Sequence, residues 1–211
     1  MKNDKNINYQ KELDALINGL KTRGETPRLL LHSCCAPCST AVLEYLAGAF
    51  DITVFYYNPN IYPEAEYVKR LNEQKRLLPM LRSAGKINLI EGRYDSGAFY
   101  AAVKGLEEEA EGARRCFACY AFRLRETAKI AVKTGCDYFT TTLSVSPRKN
   151  AAVLNETGAD LAREYQTRYL YSDFKKRDGY QRSVRLSGQY QLYRQNYCGC
   201  EYSFTARSRI Q

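Results

Sequence analysis

A chain of 211 residues, 45% hydrophobic and 26% charged, can bury one sizeable core and has the composition of an ordinary globular protein. No apolar run approaches the roughly 18 residues a membrane span needs, and the polar opening MKNDKNINYQ has no apolar stretch behind it, so no secretory signal is expected. The eight cysteines are therefore expected to be cytoplasmic ligands and catalysts rather than a secreted disulfide framework. The net charge of +9 is uneven: from Tyr171 onward there are eight Lys/Arg against three Asp/Glu, with six of the 18 tyrosines.

Leu13, Leu16, Ile17 and Leu20 follow the spacing of an amphipathic helix. A strand Leu29–Leu31, a helix Ser39–Leu46, a strand Ile52–Tyr57 and a helix Glu64–Leu81 follow, the last with Pro63 at its start. Then come a strand Ile87–Ile90, helices around Phe99–Leu106 and Cys119–Val132, a strand Tyr138–Thr142 and a helix Ala152–Tyr165. Continuous apolar strands alternating with helices predict an α/β fold, a parallel sheet covered on both faces in three layers. Residues 1–170 form this α/β domain, and residues 171–211 a basic, helical, tyrosine-rich extension packed on it. Ligands of such sheets bind beyond the strand C-termini. The segment Cys34–Cys38, the Asn58-Pro59-Asn60 loop, Asp95 and Ser144–Lys149 all follow strands and are expected on one rim.

Three sulfurs within five residues, Cys34, Cys35 and Cys38, join the first strand to the next helix, where backbone amides stabilise thiolate. Cys116-Phe-Ala-Cys119 adds a second CxxC, and Cys198-Gly-Cys200 a terminal pair. A four-cysteine zinc site is the plain reading, but Cys34 is a fifth thiol that a closed tetrahedral site does not use. An iron–sulfur cluster accommodates the surplus better. A thioredoxin-type Cys35/Cys38 leaves Cys116 and Cys119 unexplained, and the radical-SAM spacing CxxxCxxC is absent. The close spacing of Cys198 and Cys200 suits a strained, easily reduced disulfide, with two further ligands or two free thiols as alternatives. Cys136, just before a strand, reads as a small buried hydrophobe.

His32 is the only histidine, and both structural and catalytic roles stay open for it. Asp95 is read either as a helix cap or as a metal ligand or proton-transfer group. Neither GxxxxGK[ST] nor GxGxxG occurs, so a nucleotide cofactor lacks direct support. In the extension Lys175, Lys176, Arg177, Arg182 and Arg194 alternate with tyrosines including Tyr190. Cations that neutralise phosphates and rings that stack on unpaired bases mark a nucleic-acid face; a solvated amphipathic helix is the alternative.

HSCCAPCS, YYNPNIYPEAEY, CFACYAFRL, DYFTTTLSVSPRKN, DFKKRDGY and LYRQNYCGCEYS, in this order from about Leu29 to Ser203, resemble the epoxyqueuosine reductases of the QueH type. The resemblance implies an oxidoreductase that reduces epoxyqueuosine to queuosine at the wobble position of tRNA, in the anticodon loop, with an external electron donor. It implies a 4Fe–4S cluster on Cys34, Cys35, Cys116 and Cys119, and a redox-active pair Cys198/Cys200. It implies a fold like that of the PP-loop/HUP nucleotide hydrolases, the cysteine turn replacing their phosphate loop. An incomplete protein ligand set would leave Cys38 and Asp95 for a second iron. Two rivals remain at this stage, a PP-loop-type tRNA sulfur-transfer enzyme and a non-catalytic, zinc-containing RNA-binding module.

Overall fold

The computed structural model describes residues 7–81 and 87–208. Its centre is a sheet of four parallel strands, β1 (Arg28–Ser33), β2 (Asp51–Tyr56), β3 (Asn88–Glu91) and β4 (Tyr138–Thr141), in the order β3-β2-β1-β4. In register, Leu31 of β1 faces Val54 of β2 on one side and Thr140 of β4 on the other. Leu29, Leu30 and Leu31 are all fully buried, because both faces of the sheet are covered. Side chains alternate between faces along a strand. Leu29 and Leu31 thus join α1 (Tyr9–Arg23) and α2 (Ala36–Leu46) in one core, while Leu30 joins α5 (Arg114–Lys133) and α6 (Ala151–Glu164) in the other. The α/β, parallel-sheet expectation holds. No helix among the described residues is long and apolar enough to cross a membrane.

The sequence-based boundaries shift where the local signals are weak. Helix α2 starts at Ala36, not Ser39, because Pro37 fits a first helical turn; Cys38 is therefore inside the helix. Helix α5 starts at Arg114 rather than near Cys119. Its cap, Ala113, makes no side-chain bond, so the usual start signal is missing and both Cys116 and Cys119 become helical. Helix α3 (Glu64–Leu77) yields to a 3-10 turn, Leu78–Met80, at Pro79, which cannot donate to a helix. Helix α4 (Ser96–Ala102) begins at its Asp95 cap, before the expected Phe99. The extension holds α7 (Gly179–Gln189) and α8 (Glu201–Ser208).

The extension shares the main core: Phe174 and Leu192 join Leu31 and Val42 in one buried cluster, next to Leu170. The entry to α7 is tight. A β-carbon on Gly179 would stand 1.8 Å from the Phe174 carbonyl oxygen, so only glycine fits there. In the order β3-β2-β1-β4 the chain leaves β1 for β2 on one side and reaches β4 on the other. The crevice for a ligand lies where the order reverses, beyond the C-terminal ends of β1 and β4.

Candidate metal and redox centre

Strand β1 ends at Ser33, and the next residues cross that crevice. Cys35 is extended at the cap of α2 (φ −175°, ψ 160°). The turn is pinned from below: Ser33 Oγ donates to Gln74 Oε1 (2.8 Å), Ser39 Oγ to the Cys35 carbonyl (3.0 Å), and Asn58 Nδ2 to the Ser33 carbonyl (2.8 Å). The sulfurs of Cys34, Cys35 and Cys38 consequently lie within 4.8 Å of one another, those of Cys34 and Cys35 at 3.8 Å. Just after β4, Thr142 accepts the Cys34 N–H (3.2 Å) and donates to its sulfur (3.4 Å), while Gln195 Nε2 donates to Cys35 Sγ (3.1 Å). Hydrogen bonds from Cys34 and Cys38 hold Cys35 well below the ordinary thiol range, while the contact with Cys35 pushes Cys34 up and contacts with Cys34 and Cys35 push Cys38 up. The trio thus favours a single thiolate at Cys35.

Cys116 and Cys119, on the first turns of α5, stand outside this trio. They line a smaller, nearly closed cavity with Cys198, Cys200, Tyr120 and Lys149. Burial pushes the Cys119 thiol up to about 11. Arg123, one helical turn beyond Cys119, is 4% exposed and lines both cavities. It donates to Asn58 Oδ1 (3.2 Å) and Asn60 Oδ1 (3.0 Å), while its Nε and the Tyr120 hydroxyl have no hydrogen-bond partner among the described residues. Burial opposes the Arg123 charge; Cys119, Cys34 and Cys198 sustain it. Lys149, also buried, donates from Nζ to Cys198 Sγ (3.0 Å). Burial works against its ammonium too, but Cys198 and Tyr120 outweigh it and its pKa rises. Among the described residues, neither cation makes an ion pair with a carboxylate.

The terminal pair is held just as closely. Gly199 (φ +126°) presents its carbonyl to the Tyr62 N–H (2.7 Å), and Arg70 Nη1 donates to the Cys198 carbonyl (3.2 Å). The Cys200 carbonyl accepts from the Ser203 and Phe204 amides as α8 begins (3.1 and 3.0 Å), and burial raises the Cys200 thiol. The cysteines are free thiols in this structure. The larger cleft, about 310 Å³, opens onto Cys34, Cys38, Cys198, Asn58, Lys149 and Arg194.

Of the other expected site residues, Arg194 lines the larger cleft and the rest lie away from the sulfur cavities. Asp95 caps α4, accepting the Ala98 N–H (3.0 Å), and faces Arg93 at 3.8 Å; it lines neither sulfur cavity. His32 is fully buried between Thr141 Oγ1 (2.8 Å) and the Tyr57 carbonyl (3.1 Å), and burial lowers its pKa to about 3. It is a neutral structural bridge between strands. Cys136 is buried beside Thr134 Oγ1 (3.3 Å), in the core. In the extension, Lys175 pairs with Asp173 (2.7 Å), Arg177 with Asp14, and Arg182 with Glu44 (2.7 Å). Lys176 is exposed, Tyr190 packs on the core and offers its carbonyl to Arg76 (3.2 Å), and Arg194 donates to Ser187 Oγ (3.0 Å). Sequence reasoning missed Arg123 and Gln195. Arg123 had one local signal, its place four residues after Cys119 on the same helix face; Gln195 had none.

A parallel sheet with three clustered thiols where its strand order reverses has the donor set of a metal-binding α/β protein. Comparison with known sequences narrows the class. Residues 29–206 match the family model described as epoxyqueuosine reductase QueH. The epoxyqueuosine reductase QueH of Staphylococcus epidermidis is 44% identical over 207 residues, 96% of this chain and 87% of that protein. The Streptococcus pyogenes relative of the same name is 40% identical over 96% of this chain and 80% of its own length. That of Thermotoga maritima is 37% identical over 85% and 91%. The chain belongs to the epoxyqueuosine reductase QueH family.

Proposed function

We propose that this protein reduces epoxyqueuosine to queuosine at the wobble position of tRNA, with a cysteine-held 4Fe–4S cluster and Cys198/Cys200 as a redox-active dithiol. The observation that carries this reading is the pair of buried cations, Arg123 and Lys149, which have no carboxylate partner among the described residues: Lys149 Nζ donates to Cys198 Sγ (3.0 Å), and Arg123 lines both sulfur cavities. An uncompensated buried charge is strongly destabilising. An anionic, thiolate-bound cluster supplies the compensation, and soft thiolate donors are the ligands such clusters take. The residues present therefore fit the group. Cys34, Cys35, Cys116 and Cys119 would hold it, leaving Cys38 for a second iron beside them. When bound, it supplies electron transfer and a Lewis acid for the epoxide oxygen.

The chain's own residues do the rest. Removing an epoxide oxygen as water consumes two electrons and two protons. Cys198 and Cys200 release the same number in closing to a disulfide, so the dithiol balances one turnover, and an external reductant restores it. Lys149 keeps Cys198 at the junction of the two cavities, and Arg123 holds the Asn58–Asn60 loop against the sulfur turn. The site at the switch point of a parallel sheet also supports a PP-loop-like reading of the fold.

Anaerobically purified protein is expected to be brown, with iron and acid-labile sulfide, and Cys116→Ala or Cys119→Ala to lose most of both. Zinc without sulfide overturns the cluster. Nucleoside mass spectrometry of tRNA from cells lacking this protein is expected to show epoxyqueuosine, one oxygen heavier, in place of queuosine. A missing sulfur atom instead would mark a sulfur-transfer enzyme.

A further inference from the structure

The rim of the larger cleft carries groups that neither face the sulfurs nor serve the core. Arg148, after the turn that follows β4, is exposed, and no carboxylate of the described residues pairs with it. Arg194 reaches the same rim from the segment after α7, tethered to Ser187 Oγ (3.0 Å), a neutral partner that leaves its charge uncompensated. Glu111 is the one carboxylate among the described lining residues. Three of the extension's other cations, Lys175, Arg177 and Arg182, are already paired with Asp173, Asp14 and Glu44, and the exposed Lys176 and Arg185 do not line this cleft. A phosphate that recruits one of those three must first break an ion pair, whereas Arg148 and Arg194 meet it with no ion pair to break among the described residues.

The rim aromatics divide in the same way. The Tyr197 ring is fixed, with Phe204 edge-on at 5.3 Å, the Arg70 guanidinium 4.9 Å away, and its hydroxyl on the Tyr62 carbonyl (2.5 Å). Tyr180, on the first turn of α7, is 37% exposed, and its ring stacks on no other aromatic ring among the described residues.

Resting on the tRNA-modifying reading above, we propose that Arg148 and Arg194 hold the phosphates flanking one extruded nucleotide and that Tyr180 stacks on a base at the mouth. The base to be modified then enters the cleft toward Cys198. Enzymes that act on a base take it out of the stack, at least cost where the strand is already single. At about 310 Å³ the cleft suits one base and not a helix. Phosphate contacts set register and orientation, so the two arginines position the RNA, while the stacked ring tolerates any base.

The test measures binding of an unmodified anticodon stem-loop RNA to anaerobically purified, cluster-loaded protein by fluorescence anisotropy across a potassium chloride series. Iron is measured in each preparation. Arg148→Gln/Arg194→Gln is expected to lower the salt slope by about 1.4, two single-strand phosphate contacts at about 0.7 each. Arg177→Gln/Arg182→Gln is expected to change it by less than half as much. Tyr180→Ala is expected to weaken binding about tenfold, one stacked base, with Tyr180→Phe restoring it and iron unchanged throughout. A slope that flattens in the Arg177/Arg182 variant and not in the Arg148/Arg194 variant overturns the assignment of the arginines. Equal defects in Tyr180→Ala and Tyr180→Phe overturn the stacking role. If the wild-type protein does not bind the RNA at all, the tRNA reading itself fails and this inference with it.

Discussion

Gly199 sets the angle between the two terminal sulfurs, with φ at +126° and Arg70 Nη1 only 2.9 Å from where a β-carbon would stand. Arg70 is itself 2% exposed and ion-paired to Glu66 (2.7 Å), so it has little freedom to withdraw. Gly199→Ala is accordingly expected to cost about 1–3 kcal/mol, as strained backbone positions do, measured by denaturant unfolding, and to impair turnover while iron is retained. Unchanged stability and turnover would show that the loop adapts freely. The dithiol role has its own residue-level test. Cys198→Ser and Cys200→Ser are expected to keep their iron and lose multiple-turnover reduction; loss of iron as complete as in Cys116→Ala would make them ligands. The sulfurs were legible in the sequence because cysteine is rare and its spacing is local. Lys149 was expected on the ligand rim, but neither its contact with Cys198 nor the place of Arg123 was legible, because only a three-dimensional view brings these cations to the sulfur cavities.

At the scale of the elements, the candidate site is made by how helices begin. Cys38 lies in the first turns of α2, Cys116 and Cys119 in those of α5, and Cys200 immediately before α8, and the Gly112 amide, just ahead of α5, donates to Cys116 Sγ (3.2 Å). Asp95 serves the start of another helix: its carboxylate accepts from Ala98 as the cap of α4. Asp95→Ala is thus expected to cost about 1 kcal/mol, the usual loss of a cap, in thermal or denaturant unfolding, and to leave iron content as in wild type. Iron loss matching Cys119→Ala would establish Asp95 as a ligand. Strands and helices were legible in type because apolar periodicity is a local property. Their starts at Ala36 and Arg114 were less so, since neither cap, Cys35 nor Ala113, makes the side-chain hydrogen bond that usually marks one.

For the whole molecule, the basic extension is a wall of the same body. Phe174 and Leu192 complete the core around Leu31 and Val42, and Arg177–Asp14 and Arg182–Glu44 fasten it to α1 and α2. Ending the chain before Tyr171 is expected to expose that core and give an insoluble protein, whereas the full chain unfolds in one transition by circular dichroism and tyrosine fluorescence alike. A soluble, cooperatively folded truncation would instead make the extension a separate unit. The sequence by itself determined the alternation of strand and helix, the three cysteine groups and the family, all carried by neighbouring residues or short words. Only the tertiary structure decided which charges stay unpaired. Lys149 meets Cys198 across 49 positions and Arg123 meets Asn58 across 65. The basic run, read as a uniform phosphate-binding face, is partly neutralised by acids far along the chain. Charge counts are local, whereas pairing and burial depend on distances that exist only once the chain has folded.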